Sequence, residues 1–592
     1  MKTILLALLV PVLAPEEVSV TTNDGEVVQG DLRKSSFDLD TDWGSAEIDL
    51  DKIVSIQFGD PDVVVTTSYL ELRGELKLSR LKIDTSSGSR TLRRADLASL
   101  VVYEDGRPRG SADFSGEWMT TFGPMELHQS GLTVDGYYGH AGESSLEGTV
   151  RDRRFEFEYG TVRGGGTGWF ELEGDGRVML GEYEDSDGDT NFWGAYRLAP
   201  EVPAVSPGEF VRGQSRSGLY FHLRVPEDYD DSDEYPAIAF FHGSNMSARS
   251  YVETIAAVWP ELAADYVLVG IDGEHMSAAS DPGALAFNYT YINFSGHRVG
   301  DAWRYNQSPG LVSDALVELQ EALPIRHWLI GGHSQGGFLT YALAMFYPDL
   351  VAGAFPMSCN LLVQAEPSYF DEAEMRAKQR EVPIAHVHGT TDDVIEYSAA
   401  EYCYEAFQDG GFPMLRLFSD ESAGHLFAHL PVEEAVRWLE TFASGDARRL
   451  VAFGEEQLEA GHYRDATAAA LRAAELDRAG ALKSRIERLH ERVDAQAEPR
   501  AGELLPAIRA ARNDDWVDDF WEFRRQFAFT PAAADCMEAF ARLREEHEEP
   551  ADELFYESRG ERDPARRDAM REEIVEKYFA SRWYRIVKRW LE

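Results

Sequence analysis

Cysteine is scarce, with only Cys359, Cys403 and Cys536 in 592 residues. Three residues in so long a chain are no disulfide framework, so the fold must be held by packed cores. They read as buried thiols, no Cys/His spacing suits zinc, and no cysteine near the start is available to carry a lipid. Basic residues are also few: 57 Lys and Arg against 104 Asp and Glu, a formal charge of −47. A surface so acidic repels phosphate backbones and anionic headgroups, which excludes nucleic acid and anionic membranes as partners. Long apolar runs are missing too. Nothing reaches the roughly 18 consecutive apolar residues of a membrane helix, so no membrane span is expected.

What is present implies several domains, because 592 residues exceed what one core can organise. Hydrophobic residues at 44% and charged residues at 27% fit a mostly globular chain. Lys2 followed by the short apolar run Ile4 to Val10 and the small residue Ala14 reads as an export signal over residues 1–15. The expected location is therefore periplasmic or extracellular. Pro15 leaves the cleavage position open.

Residues 16–108 contain a repeat with a 44-residue offset. Gly30-Asp31-Leu32 returns as Gly74-Glu75-Leu76, Gly44 as Gly88, and Ile53 to Ile56 as Leu97 to Leu100. Alternating apolar and polar residues between turn signals predict short antiparallel strands in a two-fold β module. Residues 109–200 show regular glycine-punctuated strands such as Phe155 to Tyr159, which predicts a small β-barrel. Its rhythm loosely resembles lipocalin or avidin barrels. In it, Asp185-Ser-Asp187-Gly-Asp189 has alternate oxygens as calcium loops do, but the glycine is misplaced and no Glu follows at the twelfth position. An acidic hairpin is the better reading.

Residues 205–445 alternate strand-length apolar runs with helical stretches, the pattern of a mostly parallel, doubly wound α/β sheet. Seven strands are expected: Tyr220–Val225, Pro236–His242, Tyr266–Asp272, His327–Gly332, Ala352–Met357, Pro383–His388 and Met414–Phe418. Residues 446–592 turn helical and rich in Ala, Glu and Arg, with Gly461 to Ala466 and Ala473 to Asp477 resembling one tetratricopeptide repeat. A protein partner for this tail is the expectation there.

The chemistry centres on Gly332-His333-Ser334-Gln335-Gly336, which follows an apolar strand and precedes a helical stretch. Glycines two residues either side of a serine suit a tight strand-to-helix turn with no room for side chains. Activating that serine needs a base, an acid to orient the base, and N–H donors for the developing oxyanion. This arrangement resembles the nucleophile elbow of the α/β-hydrolase superfamily over roughly 240 residues. Within the superfamily it looks most like the branch of feruloyl and polyhydroxyalkanoate esterases, phospholipase/carboxylesterases and predicted peptidases.

The resemblance implies the chain order Ser, acid, His. The acid is then Asp392, with Asp393 its rival, and the base is His425, with His429 its rival. The oxyanion donors are the N–H of Gln335 and that of Gly243 or Ser244, while His242 ties the loop down. Phe287, Tyr289, Tyr291, Phe294, Trp303 and Tyr305, in an insertion over 274–308, are expected to wall a substrate pocket. No metal or organic cofactor is implied. The expected activity is hydrolysis of a small or polymeric carboxylic ester through an acyl-enzyme. Serine peptidase and inactive scaffold are the alternatives.

Overall fold

The computed structural model describes residues 16–591, apart from 43, 68–70, 105–106, 110–111, 140–143, 152, 162–163, 174–175, 278–285, 290–297, 300–301, 304–306, 362–377 and 512–513. The chain divides into two compact units, Met1–Leu198 and Ala199–Glu592.

The first unit begins with ten strands, β1 (Glu16–Thr22), β2 (Val27–Leu32), β3 (Ser36–Thr41), β4 (Gly44–Asp49), β5 (Ile53–Gln57), β6 (Asp62–Thr66), β7 (Glu71–Leu76), β8 (Arg80–Thr85), β9 (Gly88–Arg93) and β10 (Leu97–Glu104). They pair in the order β4-β3-β7-β6-β5-β10-β1-β2-β8-β9. Adding 44 to every residue number carries β1–β5 onto β6–β10, and the order then reads the same from both ends. The pseudo-two-fold axis passes between Ile56 and Leu100, which face each other across the β5–β10 ladder. Each copy lends a hairpin to the other: β3 pairs with β7, and β8 with β2. The ion pairs follow the same symmetry, Lys77 with Asp40 at 2.8 Å and Arg33 with Asp84 at 2.6 Å. A closed antiparallel barrel of eight strands follows, from Gly116–Thr120 to Thr190–Arg197, with its first and last strands joined through Trp118 and Arg197. Closure leaves no sheet edge exposed.

The second unit is built on eight strands: β11 (Phe210–Gln214), β12 (Tyr220–Arg224), β13 (Tyr235–Phe241), β14 (Val267–Ile271), β15 (Ile325–His333), β16 (Val351–Met357), β17 (Ile384–Gly389) and β18 (Leu415–Asp420). Their order is β11-β12-β14-β13-β15-β16-β17-β18, antiparallel through the first three and parallel from β14 onward. β11 has no counterpart among the seven strands expected from sequence. Strands β14 and β17 are buried at every residue, as parallel strands covered on both faces must be. The covering helices include α1 (Ala248–Val258), α2 (Gln307–Ala322), α3 (Gln335–Phe346), α4 (Tyr397–Asp409) and α5 (Val432–Ala443).

The helices after residue 445 belong to this same compact unit rather than forming a body of their own. Trp438 and Phe442 of α5 share one core with Leu450, Ala469, Leu489 and Phe520. Helix α4 is gripped from the far end of the chain, where Arg585 pairs with Glu405 at 2.6 Å and Trp583 stacks on Tyr402.

Candidate active site

Strand β15 runs directly into helix α3 through Ser334, whose φ of 53° and ψ of −114° lie outside the regions most side chains adopt. Such a conformation costs on the order of 1–3 kcal/mol and persists only where neighbours impose it. They do so here. A Cβ on Gly332 would overlap the carbonyl of Gly336, and one on Gly336 would overlap the carbonyl of Phe241 at the end of β13. The Ser334 N–H donates to the Met357 carbonyl at 2.9 Å, fixing the turn against β16. Among the described residues neither Ser334 Oγ nor the Gln335 N–H has a hydrogen-bond partner. The Gln335 N–H opens α3, where the helix dipole adds a positive field.

The acid and base loops end β17 and β18. Asp392 is buried, and its carboxylate accepts from His425 Nδ1 at 2.9 Å and 3.1 Å. The same carboxylate accepts from the N–H groups of Val394 and Ile395, both at 2.9 Å. Burial by itself would raise this carboxyl, but the Ile395 donor, His425 and the Val394 donor outweigh it and hold it below the usual carboxylate range. The rivals are elsewhere: Asp393 and His429 are both exposed. Two further residues of the acid loop draw the loops together. Thr391 donates from its N–H and its hydroxyl to the Ala423 carbonyl, at 3.1 Å and 2.9 Å. Gly389 lies so near Ala423 that any side chain would collide with its carbonyl.

The His425 ring lies 4.7 Å, centroid to centroid, from the ring of His333, the residue before the serine. His333 Nε2 donates to the His425 carbonyl at 2.5 Å, so its Nδ1 carries no proton and accepts from the Tyr251 hydroxyl at 2.8 Å. Burial pushes His333 down to about 4, which keeps the ring neutral near pH 7. Tyr251 in turn accepts from the Gly243 N–H at 3.0 Å and stacks on Phe427 at 4.3 Å. One chain of hydrogen bonds therefore links the donor loop, the elbow and the base loop. Nothing in the sequence marks Tyr251, which meets His333 from 82 residues away.

This chain also corrects the expectation for Gly243. Its N–H is spent on Tyr251, whereas the N–H of exposed Ser244 has no partner among the described residues. His242 is structural: Nε2 accepts from the Gly273 N–H at 3.2 Å, and Nδ1 donates to the Gly243 carbonyl at 2.7 Å. The aromatic wall needs correction as well. Phe287 and Tyr289 are 1% and 3% exposed, turned into the domain rather than toward a ligand. Phe287 packs on Tyr220, while Tyr289 stacks on His242 at 4.4 Å and its hydroxyl donates to the Ile271 carbonyl. A phenol with a buried carbonyl in reach gains more by satisfying it than by facing solvent. Tyr291, Phe294 and Tyr305 lie outside the described residues, as does the side chain of Trp303.

A serine on a strained strand-to-helix turn, with an acid–base pair at the ends of later parallel strands, defines the α/β-hydrolase class of fold and site. Residues 291–413 match the phospholipase/carboxylesterase family, a stretch that holds Ser334 and Asp392 and stops short of His425. A curated relative, acyl-protein thioesterase 1 of Eremothecium gossypii, is 28% identical over 146 residues, 24% of this chain. The chain spans 60% of that relative's length. Among solved structures, acyl-protein thioesterase 2 of Zea mays aligns with 38% of this chain and 98% of its own, at 16% identity and a TM-score of 0.27. A fluorophosphonate-binding serine hydrolase of Staphylococcus aureus aligns with 40% of this chain and 99% of its own, at 16% identity and a TM-score of 0.30. The relatives are hydrolases of the esterase and thioesterase kind, and the sequence similarity supports an α/β-hydrolase family for this region.

Proposed function

We propose that the second unit is a serine hydrolase that cleaves carboxylic esters through an acyl-enzyme on Ser334. The observation that carries this reading is the pairing of buried Asp392 with half-buried His425, whose ring lies 4.7 Å from that of His333, the neighbour of a serine held at positive φ. Ser334 Oγ gives its proton to His425 Nε2 as it attacks the ester carbonyl, while Asp392 holds the Nδ1 proton and stabilises the charged ring. The N–H groups of Ser244 and Gln335 receive the new oxyanion. Collapse breaks the bond to the alcohol, which leaves with the proton from His425. Water then enters, gives a proton to His425, attacks the acyl carbon and releases the acid, restoring Ser334. The same steps expel a thiol from a thioester, the bond that the curated relative acyl-protein thioesterase 1 is named for.

A fluorophosphonate probe tests the nucleophile directly. Wild type is expected to label and Ser334→Ala to remain unlabelled, and an unlabelled wild type with intact folding would sink the reading. Hydrolysis of p-nitrophenyl esters without release from aminoacyl-nitroanilides separates an esterase from a peptidase. We further propose that residues 1–15 direct export, which the N-terminal sequence of the protein recovered from its natural host would check.

A further inference from the structure

Beside the last strand of the second unit, where β18 meets α4 and the helices of the tail, lies a cavity of about 240 Å3. Four elements line it: α4 with Tyr397 and Tyr404, β18 with Arg416, the first turn of the helix Tyr463–Leu476 with Arg464, and the end of the helix Val517–Phe527 with Arg525. In a chain of formal charge −47, this lining is cationic. Among the described lining residues three arginines stand against one carboxylate, Asp465, an excess of two positive charges, with His462 beside them.

Internal contacts do not use this charge up. Asp465 accepts from Arg416 at 2.9 Å and from the Trp438 indole N–H at 3.2 Å, so Arg416 is paired. Among the described residues Arg525 comes no nearer a carboxylate than 4.0 Å, to Glu522. Arg464 is only 7% exposed, and Asp465, its neighbour in the chain, is engaged elsewhere. The Arg464 Nη2 donates to the Phe412 carbonyl at 2.8 Å, while Nε and Nη1 are sealed from solvent without a partner. Its guanidinium lies against the rings of Tyr404 and Phe529, 5.3 Å and 5.1 Å from their centroids. Burial pulls Arg464 below the ordinary guanidinium range, as it must for a charge that lacks a counter-ion.

Tyr404 is a second, independent sign. It is 4% exposed, yet its hydroxyl opens into the cavity without a hydrogen-bond partner. A phenol so deeply buried ordinarily satisfies its hydroxyl within the protein. An anion in the cavity would give that hydroxyl an acceptor and offset the cost of burying an uncompensated guanidinium. The excess charge of the lining matches a dianion, and guanidinium groups suit phosphate oxygens.

We propose that this pocket binds the dianionic phosphate group of a small molecule, with Arg525 and the Tyr404 hydroxyl donating to its oxygens and Arg464 supplying fixed positive charge behind them. The site uses none of the residues assigned to ester hydrolysis, so it stands or falls independently of that assignment.

The test is calorimetric titration of the full chain with inorganic phosphate, above its second ionisation, beside acetate at matched ionic strength. Phosphate should saturate one site, with acetate bound at least roughly tenfold more weakly. Arg525→Gln should weaken phosphate at least about tenfold, and Tyr404→Phe, which removes a hydroxyl that the fold does not use, several-fold. Glycerol 2-phosphate separates the two sources of the group: tighter binding than phosphate assigns the site to a monoester, weaker binding to the free ion. Acetate binding as tightly as phosphate would overturn the proposal, and so would an unchanged phosphate affinity in both variants. No saturable phosphate binding up to about 20 mM, in a chain whose circular dichroism is native, would overturn it as well.

Discussion

The Tyr251 hydroxyl donates to Nδ1 of His333 at 2.8 Å, while Nε2 of the same ring holds the carbonyl of His425 at 2.5 Å. A neutral histidine thus positions the base loop through its backbone, and a buried tyrosine fixes which nitrogen of that histidine carries the proton. Tyr251→Phe keeps the ring stacked on Phe427 but leaves both the Gly243 N–H and His333 Nδ1 without a partner. Two lost hydrogen bonds of about 1 kcal/mol each should lower kcat roughly tenfold or more, with KM little changed. Steady-state kinetics on p-nitrophenyl acetate read the split, and an unchanged kcat would show that the relay does not position the base.

The donor loop makes an asymmetric prediction for neighbouring residues. Ser244→Pro removes the N–H assigned to the oxyanion, in an exposed loop, after a glycine that tolerates the restriction proline imposes on the residue before it. It should cost about 100- to 1000-fold in kcat. Gly243→Ala keeps its N–H, but the added Cβ would stand 3.1 Å from the Tyr251 hydroxyl and 3.3 Å from His333 Nδ1. It should reduce kcat by a smaller factor, through the relay. If the alanine variant proves the worse of the two, the oxyanion assignment to Ser244 fails.

Asp392→Asn retains an oxygen for the Val394 and Ile395 N–H groups, so the turn should survive while His425 loses its charged partner. A fall in kcat of about 1000- to 10,000-fold is expected. Asp393→Asn, at an exposed position one residue on, should stay near wild type. Similar losses in both would return the acid assignment to an open question.

Legibility in the sequence followed the range of the forces involved. The elbow was readable because its glycines answer a local steric demand, Gly332 against Gly336 within a single turn. The 44-residue repeat was readable because copies of a strand need copies of a pattern. That β3 of one copy pairs with β7 of the other was not, since alternation fixes which face a residue occupies and not its partner strand. The relay through Tyr251 was hidden for the same reason: its partners come together only when α1, β15 and the loop after β18 meet. Phe287 and Tyr289 misled because an aromatic side chain serves a core and a pocket equally well, and only burial separates the two.

Two buried histidines set an acid limit. Burial pushes His333 down to about 4 and His386 down to about 3, against an ordinary value of 6.5. Above pH 6.5 both rings are neutral in the folded and unfolded chains and contribute no slope. Below it the unfolded chain takes up protons that the folded chain refuses, so stability falls as pH drops toward 4. For His333 the loss amounts to about 3 kcal/mol. Urea unfolding followed by the helical dichroism signal, which reports the second unit, should show this loss between pH 7 and pH 4.5. His333→Gln should flatten part of the slope, and an identical slope in that variant would remove His333 as its source.

The symmetry of the first unit makes its own quantitative claim. A Cβ on Gly30 would collide with the carbonyl of Asp84, and one on Gly74 with the carbonyl of Asp40, the equivalent contact under the 44-residue shift. Backbone cannot yield as a flexible side chain does, so each alanine substitution should destabilise the unit by about 1–3 kcal/mol. Because both glycines sit where one copy's hairpin crosses onto the other's strand, the two costs should agree closely. Scanning calorimetry of the full chain should show Gly30→Ala and Gly74→Ala lowering the same transition by similar amounts, with the helical dichroism transition of the second unit unmoved. A large effect at one site and none at the other would mean that the swapped hairpins do not contribute equally to holding the module together.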